Sequence, residues 1–361
     1  QISFEKIAPH VVDADRICFV DGIYDSSLSK LPVQTDAVEI TFLLESIASK
    51  QDESFKELLS AYATKESISP LSISSLKDAV SISIKKNKEL VNPLHIVFIS
   101  SGIKSAIDSS LVSIHGAENS KALIMETFVS MSSVKSLFAS CTEIKAERGS
   151  NIDHLRLVQQ STETTHLSRV DVDLGAQSTV NTFCCMASVG KARNEVYPVM
   201  TGEGSHAGLY GLNIGKGSEH IDSYTVIDHA VPNCTSDELY KGVYGDSSRG
   251  VFSGTIIVRE DAQKTNAIQN NNSIVLSDTA RADTRPQLKI WADDVKCTHG
   301  ATVGQLDEEA LFYLRSRGIP KDLARDMLLE SFMAETVSKI PNQEIKSFVL
   351  DLFLQKLSSI K

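Results

Sequence analysis

Long apolar runs, surplus basic charge and aromatic residues are scarce in this sequence. No apolar run approaches the ~20 residues that a membrane-spanning helix needs, so we expect no membrane partner. Lys and Arg number 36 against 46 Asp and Glu, and the net charge of −10 argues against nucleic acid, because phosphate binding needs clustered basic side chains. Aromatic residues make up 6% of the chain, with one Trp. That scarcity disfavours a groove that stacks sugar rings.

Paired cysteine motifs are also absent. The six cysteines, at positions 18, 141, 184, 185, 234 and 297, form none of the C-x-x-C pairs that zinc sites favour. Unpatterned cysteine in an acidic chain without a signal-peptide pattern predicts a reduced, cytoplasmic protein. Adjacent residues of a strand point to opposite faces, so we interpret Cys184 and Cys185 as packing residues.

Three segments differ in their composition and hydrophobic periodicity, and we predict domains at 1–92, 93–304 and 305–361. The first is mixed: residues 16–24 are strand-like, and residues 37–50 and 53–65 have apolar positions at helical spacing. In the last segment, acidic residues from Asp307 begin a helix and Arg315 lies near its end, as the helix dipole favours. A later helix after Pro341 is apolar over so wide an arc that more than one surface must cover it.

The middle segment consists of short apolar-alternating runs that turns interrupt every few residues. Small or apolar residues recur in these turns, at Ser120, Ser150, Ala176, Ser205, Ser218, Ala262, Ala280 and Val295. Small residues let successive coils of a solenoid turn tightly and lie close together. A sandwich also uses many short strands, so periodicity alone leaves a β-helix and a β-sandwich open.

Cys297 and His299 are the strongest pair of candidate ligands. Residues two apart in a strand share a face, so a thiolate and an imidazole could present together, and both suit iron or zinc. The alternative is a packed cysteine beside a hydrogen-bonded histidine. A bound cluster generally wants four ligands, mostly thiolates, so one chain offering this pair needs the remainder from a partner.

The run KCTHGATVGQLDEEALFYLRSRGIP, at 296–320, together with 238–267 and 277–297, closely resembles the SufB/SufD family of SUF iron–sulfur cluster assembly scaffolds. The wording CTHGATVGQLDEEA is nearer to the SufD branch than to the SufB branch. The resemblance implies a mainly β fold: a right-handed parallel β-helix core with an N-terminal mixed or helical segment and a C-terminal helical domain. It also implies a non-catalytic scaffold subunit.

Partners and site residues follow from the same resemblance. It implies that the last coils, around Val295 to Ala301, pair with SufB and place His299, with Cys297 as a second candidate, at a shared, transient iron–sulfur site. No cofactor is expected to be bound stably. The helices from Asp307 onward would dock the ATPase SufC, and an isolated chain would homodimerise through the same edge. The docking candidates are Asp307, Glu308, Glu309, Leu311, Tyr313 and Arg315.

Two alternatives stay open at this point. A β-helix polysaccharide lyase or hydrolase would use outer-groove carboxylates, for which Asp171, Asp173, Asp293 and Asp294 are candidates. Within the scaffold interpretation, His299 either ligates iron or only donates and accepts hydrogen bonds at the interface. The sequence does not separate these two roles.

Overall fold

The computed structural model describes residues 15–33, 36–50, 53–103 and 107–360, without the side chain of Ser54; the first part of the predicted N-terminal segment lies outside this range. Strands dominate it. They are β1 (Asp15–Val20), β2 (Ile23–Tyr24), β3 (Val38–Phe42), β4 (Val80–Ile84), β5 (Leu94–Ser100), β6 (Ile107–Gly116), β7 (Lys121–Ser130), β8 (Ser136–Ala146), β9 (Asn151–Gln159), β10 (Thr164–Leu174), β11 (Thr179–Ser188), β12 (Lys191–Met200), β13 (His206–Gly215), β14 (His220–His229), β15 (Thr235–Tyr244), β16 (Arg249–Val258), β17 (Asn266–Val275), β18 (Arg281–Ile290) and β19 (Lys296–Gly304).

These strands form a parallel β-helix. One sheet has the order β19-β17-β15-β13-β11-β9-β7-β5-β1-β2 and the other β18-β16-β14-β12-β10-β8-β6-β4-β3. Pairing is parallel from β5 to β19 and from β4 to β18, with antiparallel pairs only at β1/β2 and β3/β4 among the described strands. A sandwich of hairpins would be antiparallel, so the sheet topology decides for the β-helix. Because β1 and β4 join the two sheets, the sheets begin before residue 93.

Stacked turns form one corner of the solenoid. Each turn holds a residue with positive φ: Asn87, Asn119, Gly149, Gln177, Gly204, Asn233 and Lys264. The residue that follows is buried in six of these turns: Ser120, Ser150, Ser178, Ser205, Cys234 and Thr265. Successive positive-φ residues at this corner lie 27 to 32 positions apart, so the period is steady. The predicted turn residues were unevenly spaced because Ser218 and Ala280 belong to the opposite corner, and Cys234 was not among them.

The two sheets enclose an apolar interior whose side chains come from alternate strand positions. It runs from Ile17 and Phe19 at the first coils to Ala267 near the last, and partly buried Cys297 packs against its end. The adjacent cysteines confirm the alternation, since Cys184 belongs to this interior and Cys185 lies on the outer face. Both are buried packing residues, as predicted, and burial raises the pKa of the Cys184 thiol to about 12.

Helices cover part of both outer faces. They are α1 (Leu43–Ser49), α2 (Glu53–Thr64), α3 (Ser69–Ser74), α4 (Glu308–Ser316), α5 (Lys321–Ser338) and α6 (Gln343–Ser358). On one sheet, Phe55, Leu58 and Tyr62 of α2 pack with Leu111 and Cys141. On the other, α5 and α6 pack over β7 to β15. No helix in the described ranges is long and apolar enough to cross a membrane.

One predicted helix is wrong in its first half. Residues 37–50 were expected to be helical, but Val38–Phe42 is strand β3, which pairs with β4, and helix α1 begins only at Leu43. Val, Ile and Thr restrict side-chain rotamers in a helix and fit a pleated sheet well. Here pairing with β4 stabilises the strand conformation more than the helical spacing of apolar residues favours a helix.

Candidate functional site

The last coil leaves a free edge on each sheet. Among the described strands, β19 pairs only with β17, and β18 pairs only with β16. The Lys296 N–H donates to the Thr265 carbonyl, so even-numbered residues of β19 face β17. In a parallel ladder the alternate residues face the other way, so the N–H groups of Cys297, His299 and Ala301 are directed to the open side. A row of unpaired backbone groups at an edge is a template for pairing with another strand.

Proline distinguishes the two edges. The Arg281 N–H donates to the Ser248 carbonyl, so the odd-numbered residues of β18 face β16 and the even-numbered ones face outward. Pro286 therefore stands at an outward position, where it lacks the N–H that a partner strand would need. Strand β19 contains no proline. The β19 edge is consequently the better template.

Cys297 lies at the end of the interior core. Its Cα pairs with buried Ala267, and its side chain packs against the interior cluster while remaining partly exposed. Partial burial raises the pKa of the Cys297 thiol, although a backbone hydrogen bond from Ala267 opposes the shift. In the chain by itself Cys297 is therefore a protonated thiol rather than a ready thiolate ligand.

His299 lies two residues farther along β19, on the same face and exposed to solvent. It pairs in register with Gln269 of β17, which in turn pairs with Glu238 of β15. The Gln269 Nε2 donates to Glu238 Oε2 at 2.6 Å, and both side chains are fully buried. Burial raises the pKa of the Glu238 carboxyl to about 7, well above the usual range of a glutamate. The sequence analysis did not single out Gln269 or Glu238, although the alternation of residues along β17 and β15 places both on the interior face.

A self-contained metal centre is not assembled here. In the described part of the chain, no three His, Cys, Asp or Glu side chains converge closely enough to hold a metal ion. Cys297 and His299 share the open end of the β-helix, and they offer two candidate ligands at most. A cluster at this edge requires ligands from outside the chain.

The predicted docking residues of α4 serve different purposes. Asp307 is the N-cap, and its carboxylate accepts hydrogen bonds from the N–H groups of Glu309 at 2.9 Å and Ala310 at 3.1 Å. Leu311 is only 5% exposed and packs inward. Glu308, Glu309, Tyr313 and Arg315 remain on the surface. Of the predicted set, these four are therefore available to a partner in the chain as it stands.

Exposed apolar residues extend this surface beyond the predicted set. Phe312 is 72% exposed and Tyr313 57%, and α5 adds Leu323 and Met327. A groove of about 350 Å³ separates the end of β19 from these helices; Thr302, Val303, Asp307, Ala310 and Leu328 are among its lining residues. We call Phe312, Tyr313, Leu323 and Met327 the helical patch. The groove thus lies between the end of β19 and the two helices that carry the helical patch.

The carboxylates of the hydrolase alternative occupy different settings. Asp171 accepts two hydrogen bonds from Arg169, at 2.8 and 2.9 Å, and one from the Tyr62 hydroxyl at 2.9 Å, and Lys65 lies 3.1 Å away. Although burial opposes it, these groups lower the pKa of Asp171. This carboxylate is committed to holding α2 on the sheet and is not free to act on a substrate.

Fold and site together define a class of protein: a β-helix scaffold with an open pairing edge, flanked by helices that expose an apolar patch. Comparison with known proteins agrees. Residues 98–332 match the model of the family described as SUF system FeS cluster assembly, SufBD core domain. The chain therefore belongs to the SufBD family, and within it the chain is of the SufD type.

Individual relatives support the assignment. The iron–sulfur cluster assembly protein SufD of Escherichia coli strain K12 is 29% identical over 349 residues, which cover 96% of this chain and 80% of that protein. A SufBD family protein of Synechocystis is 26% identical over 346 residues, covering 90% of this chain and 74% of the relative. SufD of Bacillus subtilis strain 168 is 26% identical over 276 residues, covering 76% and 63%.

Proposed function

We propose that this chain is a non-catalytic scaffold subunit of cytoplasmic iron–sulfur cluster assembly that completes its site only with a SufB partner. The observation that carries the proposal is the free β19 edge, whose outward N–H groups flank an exposed His299. A strand of SufB adds to this edge and brings the missing ligands, and a transient cluster forms between the two chains. The six free cysteines suit a reducing compartment.

The helical patch is the proposed contact for the ATPase SufC. Exposed aromatic and aliphatic side chains rimmed by Glu308, Glu309 and Arg315 have the composition of a docking surface. The groove beside β19 is lined in part by α4 and α5, the helices that carry the patch, which supports a contact close to the pairing edge. Movement of SufC during its ATP cycle would therefore shift the helices against β19 and reshape the joint site.

The proposal is tested by purifying the chain anaerobically with its SufB and SufC, followed by measurement of iron and acid-labile sulfide. We compare wild type with His299→Ala and with the control Thr298→Ala. Thr298 directly precedes His299 in β19, and its side chain lies on the opposite face of the strand. A normal complex whose cluster content collapses only in His299→Ala supports a ligand or gating role. Unchanged content refutes that role and leaves a scaffold that shapes SufB.

The same purification tests the two contacts. Tyr313→Ala removes an aromatic ring from the helical patch, and we expect it to lower the amount of SufC recovered while SufB is retained. Full recovery of SufC with this variant would contradict docking at the patch. Failure of wild-type chain to recover SufB at all would overturn the edge-pairing proposal.

A further inference from the structure

A buried amide with a free acceptor stands next to His299. Gln269 is 0% exposed, and its Oε1 has no hydrogen-bond partner among the described residues. A buried acceptor without a partner costs about 1–3 kcal/mol, so such an atom calls for an explanation. The neighbouring residue in register on β19 is His299, whose neutral ring carries one N–H donor and one acceptor nitrogen.

The amide is held in place from the other side. Its Nε2 donates to Glu238 Oε2 at 2.6 Å, which uses the donor end and leaves Oε1 as the free end. The facing sheet makes room for it at Gly254, where an added Cβ would lie 2.4 Å from the Gln269 Nε2. Neighbouring strands lie about 4.8 Å apart, and His299 is the residue of β19 in register with Gln269, so it is the adjacent candidate donor for Oε1, which has no partner in the described structure.

We propose that Gln269 is a positioning residue for His299, accepting a hydrogen bond from one ring N–H so that the other ring nitrogen presents its lone pair at the free edge. A histidine that ligates a metal generally donates its second ring nitrogen to an acceptor that fixes the tautomer and the ring orientation. Glu238, Gln269 and His299 then form one chain from the interior to the pairing edge. The inference rests on the function proposed for His299.

The test reads the tautomer of His299 directly, in the full chain without partners. Histidine is labelled with ¹⁵N, and the shifts of both ring nitrogens are recorded at pH 8.5, well above the range in which an unperturbed imidazole titrates. At this pH Glu238 is ionised and fixes the amide donor. The His299→Ala variant assigns the signals. We expect one tautomer, seen as a wide separation between the two ¹⁵N shifts.

Three variants separate positioning from general damage. Gln269→Met removes the acceptor at similar volume, and we expect the two ¹⁵N shifts to move toward each other as the tautomers mix. The double variant Glu238→Gln with Gln269→Glu exchanges the amide and the acid, so one donor–acceptor pair and an acceptor beside His299 are kept, and it should keep the single tautomer. Asn271→Leu is the matched control, because it removes another buried amide of β17 with an unpartnered acceptor, but its neighbour in β19 is Ala301. It should leave His299 unchanged.

Two internal checks make the outcome decisive. The signals of buried His154, His166 and His229 report whether each variant keeps its interior intact. An unaltered His299 separation in a folded Gln269→Met chain, or mixed tautomers in wild type, would overturn the proposal. Because no cluster or partner is present, this result does not depend on the copurification: His299 could fail as a ligand there and still show one tautomer here.

Discussion

At the scale of single residues, the interior of this β-helix is notable for its buried charge. Glu126 accepts hydrogen bonds from His154 at 2.6 Å, from the Thr142 hydroxyl at 2.7 Å and from Arg156 at 3.3 Å, all out of contact with water. Burial alone would raise its pKa, but the charges of Arg156 and His154 outweigh burial and lower the pKa to about 2. Glu238 lacks such a partner, and its pKa is raised instead. Paired and unpaired buried acids therefore respond to pH in opposite directions.

Glu238 gives a prediction about pH. Folding raises the pKa of Glu238 from 4.5 to about 7. The stabilisation that its protonated form contributes is therefore complete below pH 4.5 and is lost as pH rises through 7. As pH rises from 4.5 to 7.5, we expect the free energy of unfolding of Glu238→Gln to increase relative to that of wild type by on the order of 3 kcal/mol. Urea denaturation of both proteins at several pH values measures the difference.

Wild type and Glu238→Gln must be compared because other buried groups also change the stability of the chain in this pH range. Burial lowers the pKa of His166 to about 3 and of His229 to about 4, so both histidines add stability that is lost as pH falls below 6.5. They are present in both proteins and cancel in the difference. A difference that stays constant across this pH window would contradict the assignment to Glu238.

At the scale of elements, helix α6 is attached along its length to the outer face of a sheet. Val349, Phe353 and Leu357 are buried against a surface that includes Phe183 and Leu212. The partly buried Phe348 and Leu352 pack at the margin of the same cluster. The wide apolar arc that the sequence showed is thus explained by a sheet on one side and α5 alongside.

Truncating Phe353 should weaken this attachment. The side chain is fully buried, so Phe353→Ala should destabilise the chain by about 3–5 kcal/mol through lost transfer energy and a cavity. Phe312→Ala is the matched control, since its ring is 72% exposed and its loss should change stability by less than about 0.5 kcal/mol. Guanidinium denaturation midpoints compare the two. Equal effects would mean that α6 is not part of the cooperative core.

At the scale of the whole molecule, the open end of the β-helix determines how the chain associates. Each strand of an interior coil forms backbone hydrogen bonds with a strand on either side. Among the described strands, β18 and β19 have a neighbour on one side only. Pro286 interrupts the outward donors of β18, and β19 keeps all of its own. Self-association of the isolated chain, which the family resemblance implied, is accordingly proposed to use β19.

Ala301→Pro tests this edge. The Ala301 N–H is directed outward, so proline there deletes a donor that a partner strand would use without breaking the ladder to β17. We expect sedimentation velocity to show loss of any dimer of the isolated chain, and the variant should recover less SufB. Ala301→Val keeps the N–H and should behave as wild type. Pairing that survives the proline would place the interface elsewhere.

Much of the architecture was predictable from local pattern. Strand alternation, small turn residues and the helical spacing after Gly304 predicted the order of the parts, because period and turn chemistry act within a few residues. Spacing alone predicted that Cys297 and His299 share one face of a strand, and their role as ligands stays a prediction. The roles on α4 were less accessible: Asp307 as a cap was readable, but the burial of Leu311 and the exposure of Phe312 depend on how α4 packs against α5.

The sequence by itself determined an acidic composition with unpatterned cysteines, short strands with helical ends, and a resemblance concentrated in residues 238–320. Only the tertiary structure decided which residues meet. Gln269 lies beside His299 in register because parallel coils place residues about 30 positions apart side by side, and no local pattern reports that register. Likewise, β3 became a strand because β4 lay beside it, and the β19 edge became a site because the last coil has no neighbour. Contacts between distant residues and the absence of a neighbour are properties of the assembled fold.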